Sequence, residues 1–154
     1  MFDVECRDSK TGDGAFLSVT ESTKGKGLAD LPSSFFLDQL FAPTGRFSFY
    51  GSPTNIKVKT SEMVGNNRVI KFSFSNLSQS TNAEIPRTAV MVATIPTPEA
   101  DQAVMLIGSA TTNRWKNQGS EQKVVATIDS FNASPSPKTS MKVRAKERGN
   151  TEFL

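Results

Sequence analysis

Fifteen carboxylates, a single thiol at Cys6 and no histidine bound the chemistry open to this 154-residue chain. Without imidazole there is no Ser–His or Cys–His nucleophile, and the commonest neutral-pH base and transition-metal ligand are both missing. One cysteine supplies neither an internal disulfide nor a zinc set. Carboxylate and lysine chemistry remain. The acidic residues Asp3, Glu5, Asp8 and Asp13 gather near the N-terminus, and several oxygens together suit a hard cation such as calcium. The simpler account is a solvated strand face, with Asp13 in a turn that favours aspartate. Lys26 between Gly25 and Gly27 lacks the phosphate-loop spacing and reads as a hinge. Asn76-Leu77-Ser78 and Asn132-Ala133-Ser134 fit the glycosylation pattern, which chance supplies readily in a chain this rich in Ser, Thr and Asn.

Arg114-Trp115 is the best-defined local pair. A structural reading has Trp115 covering the end of a sheet with Arg114 paired nearby, and a recognition reading makes the two an interface anchor. The second candidate is the basic end of the chain. Residues 1–131 carry thirteen Lys/Arg and thirteen Asp/Glu, so the net charge of +3 belongs to residues 132–154. There Lys138, Lys142, Arg144, Lys146 and Arg148 outnumber Glu147 and Glu152. A solvated tail and a protein-docking tail both fit. Nucleic acid fits poorly, because no aromatic residues interleave with the charges and the excess is small.

These residues need elements to position them. Phe2, Val4 and Cys6 alternate with polar residues as a half-buried strand, residues 9–14 turn, and Ala15, Leu17 and Val19 form the return strand. Phe36, Leu37, Leu40 and Phe41 mark the apolar stripe of a helix over 31–41, with Pro32 in its first turn and Asp30, Ser33 or Ser34 as cap. Phe47, Phe49 and Tyr50 fall in the connection that follows. Ile56 and Val58 lead through Gly65-Asn66-Asn67 to Ile70, Phe72 and Phe74, a second hairpin. Residues 77–84 read as a loop, 87–95 as a strand and 102–110 as a central strand apolar on both faces. A short polar hinge carries Trp115, and Val124, Val125, Ile128 and Phe131 repeat at helical spacing. Short turns between strands imply antiparallel neighbours in an α+β layered domain. No apolar run spans a bilayer, and the start, MFDVECRD, has no targeting-peptide pattern.

The succession of pieces resembles the PsbP family of thylakoid-lumen proteins over residues 2–131. The resemblance rests on the opening hairpin, the Leu-Pro-Ser-Ser helix ending in Ala42-Pro43-Thr44-Gly45, the strand pair RTAVMVATI and AVMLIGSAT, and Asn113-Arg114-Trp115 before a helix closing on Ser130-Phe131. It implies an antiparallel β-sheet with helices packed on both faces, an α-β-α sandwich. It also implies a non-enzymatic extrinsic subunit without a resident cofactor, peripheral to the thylakoid membrane in the chloroplast lumen and docked on membrane subunits and other extrinsic subunits of photosystem II. The family alternatives are an assembly factor, a subunit of photosystem I or another thylakoid complex, or a small-GTPase-binding module of the same fold. Two departures stand out. The usual first strand with its apolar-Pro-x-x-Trp segment is missing, as is the N-terminal arm linked to calcium and chloride retention. The expected organisation is a PsbP-like domain over 1–131 and a basic extension over 132–154. Partner docking falls to Lys138, Lys142, Arg144, Lys146 and Arg148, with Arg114 and Trp115, and neither nucleic acid nor a membrane span is expected.

Overall fold

The computed structural model describes residues 4–48, 52–78 and 80–134. Their alternating apolar pattern folds as one antiparallel sheet of six strands, β1 (Glu5–Arg7), β2 (Gly14–Val19), β3 (Thr54–Val64), β4 (Asn67–Leu77), β5 (Glu84–Thr94) and β6 (Val104–Thr111). Helix α1 (Ser33–Leu40) lies between β2 and β3, while α2 (Thr112–Asn117) and α3 (Ser120–Asp129) follow β6. The spatial order is β1-β2-β6-β5-β4-β3, so the N-terminal hairpin closes on the last strand. The domain is α+β, as the strand and helix pattern predicts.

Strand period divides the core into two clusters. Ala89, Met91 and Ala93 of β5 join Phe72 and Phe74 of β4, Ile107 of β6 and Phe36, Leu37 and Leu40 of α1. The intervening Val90 and Val92 join Ala110, Trp115, Val124 and Ile128. Phe47, from a 3₁₀ turn at Arg46–Ser48, wedges into the first cluster with its ring centroid 4.6 Å from that of Phe74 and 5.5 Å from that of Phe16. Both faces of β5 and β6 are therefore apolar, as the central-strand expectation required.

Four expectations need correction. In β2 the buried residue is Phe16, registered opposite Ile107, whereas Ala15 and Leu17 are half-buried and Val19 is exposed. The polar residues Glu5 and Arg7 of β1 thus share the Phe16 face, because paired residues point the same way. The segment around Trp115 is not a hinge but helix α2, its cap Thr111 accepting from the Arg114 amide. Pro32 is the cap position of α1 rather than part of its first turn, and no side chain caps it. The Ser33 hydroxyl is spent instead on Ser61, 2.8 Å away. Finally, β4 and β5 extend to Leu77 and from Glu84, shortening the loop between them.

Arg68 ties the first cluster to β3. It is 9% exposed, and its Nη1 donates to the carbonyls of Leu28 (2.8 Å) and Leu31 (2.9 Å). Its Nε and Nη2 donate to Ser61 Oγ, and its guanidinium lies 5.9 Å from the Phe36 ring centre. One cation thereby fixes the chain entering α1 against the sheet. On the other cluster, an ideal Cβ at Gly108 would fall 2.5 Å from Val124 Cγ1, so α3 seats directly on the β6 backbone.

Candidate functional site

The β1–β2 turn and the β6–α2 junction meet because β2 pairs with β6, setting Gly14 opposite Ser109. The turn is built by Asp8, whose Oδ1 accepts from the amides of Lys10 (2.8 Å) and Thr11 (3.1 Å). Those amides hold the Asp8 carboxyl below its ordinary value. This places Asp13 against the start of α2. Its Oδ2 accepts from Arg114 Nε at 2.9 Å and from Ser120 Oγ at 2.8 Å, and Arg114 Nη1 also donates to Gln118 Oε1. The Asp13 side chain is only 16% exposed, so it is the acceptor of a joint between the hairpin and both C-terminal helices rather than a solvated turn residue.

Arg114 is thus engaged within the domain, and Trp115, 8% exposed, belongs to the second core cluster. Their placement fits the structural reading of the pair, since a buried indole offers little ring to a partner. The other candidate docking residues, Lys138, Lys142, Arg144, Lys146 and Arg148, lie outside the described residues. So does Asp3, and among the described residues no His, Cys, Asp and Glu group has the form of a metal site.

A second feature escapes sequence reasoning. On the Phe16 face, at the end of the sheet where β1, β2, β6, β5 and β4 lie side by side, there is a cavity of about 480 Å³. Phe16 and Phe47 form its apolar wall, Ser109 and Thr111 are among its polar lining, and Leu77 and Ile85 stand exposed beside them. Asn76 on the β4 side donates Nδ2 to the Phe47 carbonyl at 3.1 Å, fixing that wall. Two guanidiniums line the same space. Arg87 Nη2 donates to Ser109 Oγ at 3.2 Å and lies 3.4 Å from the Gly12 carbonyl, while Arg7 Nη2 is 3.7 Å from an ideal Cβ at Gly12. Burial pushes the Arg87 pKa down, Asp13 opposes that, and Arg7 adds to it, though guanidinium stays charged at neutral pH. Glu5 is the one carboxylate in the lining. The available signal was slight: an arginine opening a strand whose next inward residues, Ala89 and Met91, are buried.

Among the described residues no helix is long and apolar enough to cross a membrane. No family model matches the chain, and no curated protein matches it significantly.

Proposed function

We propose that this chain is a PsbP-like, non-catalytic subunit that docks peripherally on the lumenal side of a photosynthetic membrane complex, photosystem II foremost, with helices covering both faces of its sheet. The observation that carries the proposal is the block from β6 through α3. The strand–Arg-Trp–helix signature behind the family resemblance forms one packed unit, in which Trp115, Val124 and Ile128 share a core with Val90 and Val92. Division of the core into two clusters, one holding α1 residues and the other α2 and α3 residues, supports the sandwich arrangement. The missing histidine supports a binding role over catalysis.

In this reading Asp13–Arg114 holds the domain together, and recognition falls to the tail. Lys138, Lys142, Arg144, Lys146 and Arg148 would meet an acidic lumenal surface, where complementary charge raises the association rate and favours the correct partner. The test is co-purification of the full chain and of a chain lacking residues 133–154 with photosystem II from salt-washed thylakoids. The full chain is expected to bind in a salt-sensitive manner and the truncated chain to be lost in the wash. Undiminished binding of the truncated chain would overturn tail docking. Failure of the full chain to bind any thylakoid complex would overturn the whole reading.

A further inference from the structure

We propose that the cavity between Arg7 and Arg87 binds a small organic acid, a single carboxylate carried on an aromatic or aliphatic body. This inference is independent of membrane-complex docking, since none of the lining residues belongs to the tail. Charge comes first. Arg87 is half-buried as the fourth residue of β5, and its hydrogen-bond partners among the described residues, Ser109 Oγ and the Gly12 carbonyl, are neutral. Arg7 approaches the same glycine from β1. A half-buried cation held by neutral acceptors has spare donors, and a guanidinium fork matches a carboxylate with two parallel bonds.

The sign and size of the lining then narrow the ligand. Arg7 and Arg87 outnumber Glu5 in the lining, and Asp13, the carboxylate whose field reaches Arg87, is already engaged by Arg114. The modest positive excess suits a monoanion better than a phosphate dianion. The hydroxyls of Ser109 and Thr111 line the space near Arg87. Leu77 and Ile85, exposed beside the largely buried rings of Phe16 and Phe47, offer an apolar wall too large for a bare ion. At about 480 Å³ the space falls within the range of small-molecule pockets. Carboxylate at the arginines and hydrocarbon against Leu77 and Ile85 is the orientation that leaves neither part mismatched.

The experiment is an amide NMR titration of the full chain with cinnamate and octanoate, with cinnamyl alcohol and inorganic phosphate as controls. Cinnamate or octanoate is expected to shift the Gly12, Gly14 and Ser109 amides saturably, with a Kd below about 1 mM. Arg87→Met and Arg7→Met are each expected to weaken that binding about tenfold, the value of one charge-assisted contact. If Arg87→Met loses its dispersed spectrum, Arg7→Met on the exposed three-residue strand decides alone. The proposal is overturned if neither acid binds, if cinnamyl alcohol or phosphate binds as tightly as the acids, or if the folded arginine variants bind them unchanged.

Discussion

Replacing Gly108 with alanine tests how closely α3 is seated on the sheet. The new Cβ would lie 2.5 Å from Val124 Cγ1, 3.7 Å from Val124 Cβ and 3.8 Å from Ile128 Cδ1. Carbon atoms at rest in a core sit about 3.5–4.0 Å apart, so the first contact must open by about 1 Å. Valine in a helix has one strongly preferred rotamer, which removes the easy escape. The helix must therefore back away from β6, lifting Val124 and Ile128, now 8% and 4% exposed. Overpacking of this kind costs about 1–3 kcal/mol. At about 2–4 °C per kcal/mol for a chain of this size, a mid-range value lowers Tm by roughly 4–8 °C. Urea unfolding followed by fluorescence reads this directly, because the single tryptophan, Trp115, packs in the same cluster. Val124→Ala alone is expected to cost about 2 kcal/mol through the cavity it leaves. Combined with Gly108→Ala, the added methyl occupies that space, and the double variant should be at least about 1 kcal/mol more stable than additivity gives. Additive losses, or a Gly108→Ala variant as stable as the parent, would refute the close-seating argument.

Three further outcomes follow from contacts in the fold. Arg68→Met should lower stability by about 1–3 kcal/mol, since it leaves the Leu28 and Leu31 carbonyls without their donor, and the urea midpoint measures it. Arg68→Lys should not rescue it, because an ammonium cannot span those carbonyls and Ser61 together. Asp13→Asn should loosen the joint to Arg114 and Ser120, and faster hydrogen exchange at the α2 and α3 amides than at β4 amides is its signature. Asp8 titrates below its ordinary value of 3.8 in the folded chain. Its contribution is therefore complete at neutral pH and fades as pH falls through that lowered value, so Asp8→Asn should flatten the acid limb of the stability curve without adding pH dependence near pH 7.

Periodicity made most of the sheet legible. Ile70, Phe72 and Phe74 advertise their shared face, and Gly65, at φ 60°, opens the two-residue turn that fixes their register with β3. The stripe of Phe36, Leu37 and Leu40 likewise announces α1. Helix α2 went unseen because six residues with one apolar side chain have no period to detect, although Thr111 at its cap was a usable sign. The inward face of β2 was misassigned because Phe16 stands within an apolar trio whose alternation favours its neighbours, and the long-range partner Ile107 decides the matter. Asp13 and Arg87 escaped for a related reason. Asp13 acquires its role from partners 101 and 107 positions away, and Arg87 from Gly12, 75 positions away, and from Ser109 on the strand alongside, which local patterning cannot report.

The strand order also governs how the chain can be delivered. Beyond its own hairpin partner, β2 has one neighbour, β6, which lies about ninety residues downstream. A polypeptide emerging N-terminus first from a ribosome or a translocation channel can build the β3–β4–β5 meander in sequence. It cannot close the sheet over Phe16, nor form the Asp13–Arg114 joint, until α2 has also emerged. Until β6 exists, β1 and β2 have only each other, and an isolated two-stranded hairpin is marginal in water, so the opening segment gains its stability only after the rest has been made. Threading through a narrow channel is compatible with this topology, and completion is deferred to the last part of the sheet to arrive.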